Sequence, residues 1–358
     1  VTNSEKIPKK FAKNYPRGGS FLLRLFDVFD AAKTIQWFEN KGVNLKTEKD
    51  GRMFPDTDNS ETIINCLLET SKKLGLLIRT SAGVKTIQQI DLDPYERFEI
   101  ELFSGEKIKA YSILYATGGS PSIHGYHILQ SFDIQINNPV PSLFTFNIAQ
   151  SSIINLSGLS VSEVTVKIVG SKFESNGPIL ITHWGFSGPA ILKLSAWAAR
   201  YLSELGYEFK IAINWCNSLN GNELNNFLEE KKIANPKKII QSNPLFGLPS
   251  RLWVWLCENS DISKDLLWLD ISNKKKNKLA ENLQNCPFQI EGKSTFKEEF
   301  VTCGGVDLSE IVPDTLEAIK VKGLYFSGEI LDIDAVTGGF NFQAAWTTGF
   351  IAGKNLGN

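Results

Sequence analysis

The stretch that decides the fold is GLYFSGEILDIDAVTGGFNFQAAWTTGFIAG, which spans residues 323–353. Gly323 to Phe326 is a short apolar run that predicts a β-strand, and this strand ends at Ser327-Gly328. Thr337-Gly338-Gly339 then precedes a segment from Phe340 to Lys354 whose composition predicts a buried helix. We therefore expect a strand, a loop and a helix with a glycine-rich entry.

The loop of this stretch carries residues suited to ligand binding. Glu329 follows the strand directly, at the carboxyl edge where open α/β sheets place their ligands, and its carboxylate can accept hydrogen bonds from sugar hydroxyls. A glycine-rich helix entry leaves N–H groups and the positive end of the helix dipole facing an anion. In a flavoprotein that anion is the N1/C2 carbonyl region of the reduced ring. The alternatives are an exposed loop acid and close helix packing at the glycines.

Upstream of residue 139 the sequence predicts helices followed by a β-meander. Asp30 is a predicted helix cap, with the helix ending near Gly42, and a second helix runs from Ser60 to Gly75. The predicted strands are Leu76–Thr80, Val84–Ile90, Phe98–Phe103 and Ile108–Leu114. The last one leads into Ala116-Thr117-Gly118-Gly119, where small residues let the backbone approach a ligand closely.

The domain organisation follows from a change in composition. Pro139 and Pro141 mark a boundary, and the region up to about 297 is richer in Asn, Lys and Trp. Glycine-rich sequence returns at Cys303-Gly304-Gly305. We expect residues 1–138 and 298–358 to form one domain, interrupted by an inserted domain over residues 139–297. Within the insert, the run from Pro189 to about Leu205 predicts a helix.

Composition excludes several classes of protein. At 358 residues the chain exceeds the roughly 250–300 at which a single core stops growing, so two domains are expected. The net charge of -1 argues against a nucleic-acid partner. Five scattered cysteines without a Cys-x-x-Cys pair argue against disulfides or a metal site. No long apolar run or signal peptide is present, so we predict a cytoplasmic protein without a membrane partner.

Blocks along nearly the whole chain resemble, in the same order, those of the BaiN-like NAD(P)/FAD-dependent oxidoreductases, also called the aminoacetone oxidase family. Besides residues 323–353, the blocks are Tyr15-Pro16-Arg17-Gly18-Gly19, Gly51-Arg52-Met53-Phe54-Pro55, Tyr115-Ala116-Thr117-Gly118-Gly119, Pro141-Ser142-Leu143-Phe144, Thr182-His183-Trp184-Gly185-Phe186-Ser187-Gly188-Pro189 and Thr302-Cys303-Gly304-Gly305-Val306. The resemblance implies an α/β fold: a glutathione-reductase-type, Rossmann-like FAD-binding domain with a β-meander, interrupted by an inserted α+β domain.

The same resemblance implies FAD as cofactor, NAD(P)H as reductant and a set of cofactor contacts. These contacts are Asn3, Gly118, Gly119, Gly328, Glu329, Asp332, Gly338, Gly339 and Asn341, and Asp334 is expected to help position their loop. The family begins with a strand, a Gly-x-Gly-x-x-Gly turn and a helix, and no such turn occurs in this chain. We therefore expect its phosphate contacts to be missing and its FAD binding to be weak.

Three further residues are candidates for the substrate side. His183 is the predicted proton donor, with a packed structural histidine as the alternative. Arg17 and Arg52 are predicted to bind an anionic substrate, a phosphate or the flavin carbonyl region, with a surface ion pair as the alternative for each.

These expectations lead to one predicted function and leave several alternatives open. We predict a FAD-dependent oxidoreductase that moves a hydride through flavin N5 and reduces an enone-like small molecule with NAD(P)H. The alternatives are a flavin amine oxidase acting on a small amine, and a binding protein without cofactor. An RNA-modifying flavoenzyme is disfavoured by the near-neutral charge.

Overall fold

The computed structural model describes residues 1–93, 96–148, 150–217, 219, 221–294 and 301–356. The predicted domain limit at 297–298 lies outside these residues. The strands, in chain order, are β1 Thr2–Asn3, β2 Leu45–Thr47, β3 Arg52–Pro55, β4 Val84–Asp93, β5 Glu96–Leu102, β6 Lys107–Ala110, β7 Ile113–Tyr115, β8 Ile136–Ser142, β9 Thr145–Ile148, β10 Ser160–Ile168, β11 Glu174–Ile181, β12 Gly185–Ser187, β13 Glu208–Asn214, β14 Cys286–Ser294, β15 Val301–Val306 and β16 Leu324–Phe326.

The helices follow the same numbering. They are α1 Pro8–Ala12, α2 Gly19–Leu25, α3 Ala31–Glu39, α4 Ser60–Lys73, α5 His127–Gln130, α6 Pro189–Trp197, α7 Ala199–Glu204, α8 Gly221–Ala234, α9 Ser250–Glu258, α10 Asn273–Gln284 and α11 Phe340–Asn355. The chain divides into two compact units, the first made of residues 1–141 and 301–358 and the second of residues 142–300.

The first unit contains several small sheets. Strands β7 and β16 pair in parallel, with Ile113 opposite Leu324 and Tyr115 opposite Phe326. Strands β4, β5 and β6 form the antiparallel meander, β8 pairs with β15, and β1 and β2 flank β3. Because β7 and β16 run in the same direction, the loops that leave their carboxyl ends emerge at one edge of the pair.

The helix signals in the first unit were read correctly from the sequence. Asp30 caps α3, its side chain accepting a hydrogen bond from the Lys33 amide at 2.9 Å. Helix α4 begins at Ser60 as expected, although its cap is the side chain of Asn59. In the second unit, the run predicted as one helix from Pro189 to about Leu205 is two helices that meet at Ala198.

Two strand predictions were wrong. Leu76–Thr80 forms no strand, and Leu76, Leu77 and Ile78 are 61%, 84% and 56% exposed. A β-prone run becomes a strand only where another strand receives its backbone hydrogen bonds, and no described residue does so here. The run Ile108–Leu114 is divided between two sheets, since β6 ends in the meander and β7 starts the parallel pair.

The second unit is built on a closed six-stranded barrel, which the sequence did not predict. The strand order is β10-β11-β12-β9-β14-β13, and β13 pairs back onto β10. Its interior is filled by alternating side chains such as Val164, Val166 and Ile168 of β10, which meet Ile211 and Ile213 of β13 in a single core. Helix α6 packs on β11.

The closure of the barrel between β12 and β9 depends on Gly185. This glycine has φ +151°, and a Cβ atom there would lie 2.1 Å from the Phe146 carbonyl oxygen and 2.9 Å from the Ile148 nitrogen. A side chain would therefore push the two paired strands apart. Gly170, in the turn between β10 and β11, also has positive φ, at +79°, but a Cβ atom there would lie more than 4 Å from every atom of the described residues.

We expect Gly185→Ala to destabilise the protein by about 3 kcal/mol or more, because backbone strain and steric overlap combine. The matched variant Gly170→Ala adds only the positive-φ strain, about 1–2 kcal/mol. Urea unfolding followed by circular dichroism measures both. Equal losses in the two variants would show that the close approach of β9 and β12 does not limit this position.

Candidate functional site

Glu329 lies at the carboxyl end of the parallel strand pair. Strand β16 ends at Phe326, and the Ser327 amide continues the pairing by donating to the Tyr115 carbonyl at 3.2 Å. Gly328 to Ile330 form a short 3-10 turn that carries Glu329. One carboxylate oxygen of Glu329 accepts a hydrogen bond from the Thr302 amide at 2.8 Å. A carboxylate offers about four acceptor positions, so this one bond leaves acceptor capacity for a ligand.

The glycine pair after β7 reaches the same place. A Cβ atom on Gly119 would lie 2.3 Å from the Thr302 hydroxyl and 3.0 Å from the Glu329 carboxyl carbon. Only glycine therefore allows this loop to pack against Glu329. Gly118 has φ +78°, and a Cβ atom there would meet no atom of the described residues within 4 Å. Gly118 and Gly119 precede Glu329 by about 210 residues in the sequence, and the structure brings the glycine pair and the carboxylate together.

The glycine-rich entry of α11 is fixed by the first strand of the chain. Gly339 has φ +86°, and a Cβ atom there would lie 2.2 Å from the Thr2 carbonyl oxygen. The side-chain amide of Asn3 donates to the Gly338 carbonyl at 2.9 Å. Helix α11 begins at Phe340 after Gly339, and no side chain in the described part of the protein caps it. Its first-turn amides therefore carry the positive end of the helix dipole, the feature that suits an anion.

The loop between Glu329 and α11 is held by its own polar side chains. The Asn341 side chain accepts from the Ala335 amide at 2.9 Å and donates to the Ala335 carbonyl at 3.1 Å. Asp332 accepts from the Asn137 side-chain amide at 2.8 Å, and the same nitrogen donates to Asp307 at 2.9 Å. Asn341 and Asp332 are thus engaged within the protein, so the structure supports a positioning role for them more directly than a cofactor contact.

Arg17 and Asp334 form a buried ion pair. The Arg17 Nε atom donates to one carboxylate oxygen of Asp334 at 2.5 Å, and a terminal nitrogen donates to the other. The two side chains are 12% and 0% exposed. The guanidinium therefore fixes the loop that leads to α11. The predicted substrate role of Arg17 stays a prediction.

The other two substrate-side candidates are exposed. Arg52 pairs with Asp50 at 2.7 Å, and both side chains are about half exposed. His183 lies in the second unit, in the turn between β11 and β12, and is exposed. The roles predicted for Arg52 and His183 stay predictions.

Sequence reasoning missed Thr302 and Asn137. Thr302 supplies both the amide that binds Glu329 and the hydroxyl that packs on Gly119. Its only signal was its place in the Thr302-Cys303-Gly304-Gly305 block. Asn137 holds two carboxylates that are 170 and 195 residues away in the sequence, and nothing in its local sequence marks it.

The residues that the structure describes give little support for a metal site, a thiolate nucleophile or a membrane-spanning helix. These residues contain no group of three or more His, Cys, Asp or Glu side chains that could hold a metal ion. Burial raises the pKa of the Cys216, Cys257 and Cys286 thiols to about 12, so these three are not thiolate nucleophiles at neutral pH. Among the same residues, no helix has the length and hydropathy needed to cross a membrane.

We expect Arg17→Met to destabilise the protein by about 3–5 kcal/mol, because Asp334 would lose its guanidinium partner in a buried position. Arg52→Met is the matched control, and it should cost only about 0–1 kcal/mol because its ion pair faces solvent. Chemical denaturation compares them. If both variants lose a similarly small amount of unfolding free energy, the buried pair of Arg17 and Asp334 does not support this loop.

Comparison with known proteins agrees with this geometry. The HI0933-like protein Rossmann domain family matches residues 1–355. A ribosomal RNA dihydrouridine synthase from Haemophilus influenzae is 27% identical over 364 residues, covering 99% of this chain and 86% of the relative. The Escherichia coli K12 protein of the same name is 28% identical over 340 residues, covering 91% and 80%.

A third relative has a different substrate in its name. The 3-dehydro-bile acid delta(4,6)-reductase of Clostridium scindens, a BaiN protein, is 24% identical over 342 residues, which cover 93% of this chain and 82% of the relative. With a match over nearly its whole length, the chain belongs to the HI0933-like family of FAD-dependent oxidoreductase-like proteins and has an α/β, Rossmann-like fold.

Proposed function

We propose that this protein is a FAD-dependent reductase that adds hydrogen to a carbon–carbon double bond conjugated to a carbonyl group, with NAD(P)H as reductant. The observation that carries the proposal is the meeting of Gly119, Thr302 and Glu329 at the carboxyl ends of β7 and β16. The same proposal takes the first unit as a glutathione-reductase-type FAD domain and the second as its insert.

The residues at this edge fit the flavin side of the cofactor. No atom of the described residues lies within 4 Å of the Cβ position of Gly118, and Glu329 is half-buried with acceptor capacity left. When bound, FAD would supply the hydride carrier between NAD(P)H and the substrate carbon through N5. Glu329 would accept hydrogen bonds from hydroxyl groups of the cofactor. The uncapped start of α11 would stabilise negative charge on the reduced ring.

The names of the relatives support the reaction class. A dihydrouridine synthase saturates the C5–C6 bond of uracil, which is conjugated to the C4 carbonyl, and a delta(4,6)-reductase acts on double bonds of a 3-oxo steroid. Both reactions add a hydride to the carbon remote from the carbonyl and a proton to the adjacent carbon. A proton donor is therefore required, and we assign it to the imidazole of His183.

Uridine in ribosomal RNA is the second candidate substrate, beside a small enone. It is favoured by the two relatives named as ribosomal RNA dihydrouridine synthases. The net charge of -1 for the whole chain argues against an RNA substrate, but the charge is not distributed evenly between the two units. Residues 142–300 carry 17 Lys and Arg against 15 Asp and Glu, whereas the remaining residues carry 21 against 24. Helices α8 and α10 of the second unit pack together, and both contain lysines.

Glu329→Gln tests the cofactor site. The amide oxygen of Gln can still accept from Thr302, so the fold should be retained while the charged acceptor is lost. We expect the Kd for FAD to rise about 10- to 100-fold, the usual effect of losing a hydrogen bond to a charged group. Isothermal titration of the purified protein measures it, with the exposed Glu48→Gln as control. Unchanged affinity in Glu329→Gln would contradict the assignment.

His183→Gln tests the reaction. The protein, supplied with FAD and NADPH, is assayed for saturation of a cyclic enone and of uridine in a ribosomal RNA transcript. We expect the variant to lose turnover on the order of a hundredfold or more, with FAD affinity and the rate of flavin reduction unchanged. Turnover equal to the parent would make His183 structural. Activity on only one of the two substrates decides between the substrate classes.

A further inference from the structure

Two lysine-rich segments of the second unit lie where α8 ends and where α10 begins. Residues 231–238 cover the last turn of α8 and the loop after it, and residues 273–278 cover the start of α10. The two segments contain eight lysines and no acidic residue. These lysines, which we call the α8–α10 lysine surface, are Lys231, Lys232, Lys237, Lys238, Lys274, Lys275, Lys276 and Lys278.

Contacts between the helices and their loops bring the two segments together. Helix α8 packs against α10. The Nζ atom of Lys232 donates to the carbonyl of Ile271, two residues before α10, at 3.4 Å. The amide of Trp268, in the same approach to α10, donates to the Lys238 carbonyl at 3.0 Å. Lysines that are about 40 residues apart in the sequence therefore lie in one region of the second unit.

Most of the positive charge in this region is not paired. Lys276 forms an ion pair with Glu229, and Lys278 forms one with Asp261 at 2.8 Å. The other six lysines make no ion pair with a described residue. The acidic residues that flank or pair with the two segments are Glu229, Glu230, Asp261, Asp270 and Glu281. Eight lysines against these five acids leave an excess of three positive charges.

The stability of α10 does not explain its lysines. Lys274, Lys275 and Lys276 lie in the first turn of this helix, which contains no acidic residue. The positive end of the helix dipole disfavours cations at that position. A polyanion bound beside this turn would be attracted both by the lysines and by the dipole.

A bilayer is a poorer partner for this surface than a hydrated polyanion. A helix that binds a membrane surface inserts an exposed apolar face. The apolar residues Leu224 and Leu228 of α8 and Leu279 and Leu283 of α10 are buried in the protein instead. Of the large apolar side chains described in these two helices, Ile233 alone is exposed. Lysines bind nucleic-acid phosphates without any apolar contact.

We propose that the α8–α10 lysine surface binds the phosphate backbone of RNA. The inference deepens the second candidate substrate of the function proposed above, uridine in ribosomal RNA. Contacts with phosphates position a nucleic acid without reading its sequence, so this surface holds the transcript and does not select the uridine. A local excess of lysines allows a chain with a net charge of -1 to bind a polyanion.

The test compares the parent protein with two variants that each lose four lysines. The surface variant carries Lys237→Gln, Lys238→Gln, Lys274→Gln and Lys275→Gln. The control variant carries the same change at four exposed lysines of the first unit, Lys9, Lys10, Lys72 and Lys73. Both variants therefore have the same net charge. Binding of a labelled ribosomal RNA transcript is measured by fluorescence anisotropy over a series of KCl concentrations, without FAD or NAD(P)H, and circular dichroism checks the fold.

We expect the surface variant to bind the transcript about tenfold or more weakly, and the control variant to bind like the parent. The slope of log K against log salt concentration should fall in magnitude by up to about 3 in the surface variant, since each phosphate contact on a single strand contributes about 0.7. Parental affinity in the surface variant, or an equal loss in the control variant, would overturn the inference.

Two further measurements separate this inference from its alternatives. A parent protein that binds vesicles of phosphatidylserine and phosphatidylcholine but not the transcript would show that the partner is a membrane, and would overturn the inference. A parent that reduces a cyclic enone but binds no RNA would overturn this inference alone. A parent that binds RNA through these lysines but saturates neither the enone nor uridine would overturn the proposed function and support the binding surface.

Discussion

The first unit depends on the docking of its last helix, α11, against the start of the chain. A buried network joins them: Thr2 donates to the Gln343 side chain at 2.6 Å, Gln343 donates to Thr347 at 3.0 Å, and Thr347 donates to the Phe29 carbonyl at 2.8 Å. Such a network must be satisfied completely to be tolerated in a core. Because Gly339 leaves no room between the helix and Thr2, the position of the predicted anion site follows from this docking.

The sequence predicted those parts of the fold that local chemistry determines. Asp30 caps its helix through its own side chain three residues before the amide it binds, so the signal and the partner lie together in the sequence. The place of Glu329 directly after a strand was likewise predicted, because an apolar run and a Ser-Gly break identify the strand end. The position of Glu329 is thus confirmed, whereas its role in binding stays a prediction.

The features that were missed depend on partners far away in the sequence. The barrel closes because β9 pairs with both β12 and β14, with Thr145 opposite Ser294, and no local periodicity reveals such a pairing. The buried ion pair between Arg17 and Asp334 was not predicted, because the two residues are 317 positions apart in the sequence. Leu77 lies in a run with strong strand propensity, yet propensity alone does not provide the neighbouring strand that this run needs.

The residues of the candidate site divide into those whose polar groups are used by the protein and those that retain capacity for a ligand. The polar groups of Asn341 and Asp334 bind partners within the protein, and these contacts hold the loop before α11 in its shape. Glu329 differs, since the one hydrogen bond that its carboxylate accepts, from the Thr302 amide, leaves it further acceptor positions. Among these three side chains, Glu329 therefore has the most capacity left for hydrogen bonds from a ligand, which is why the proposed cofactor contact is placed on it.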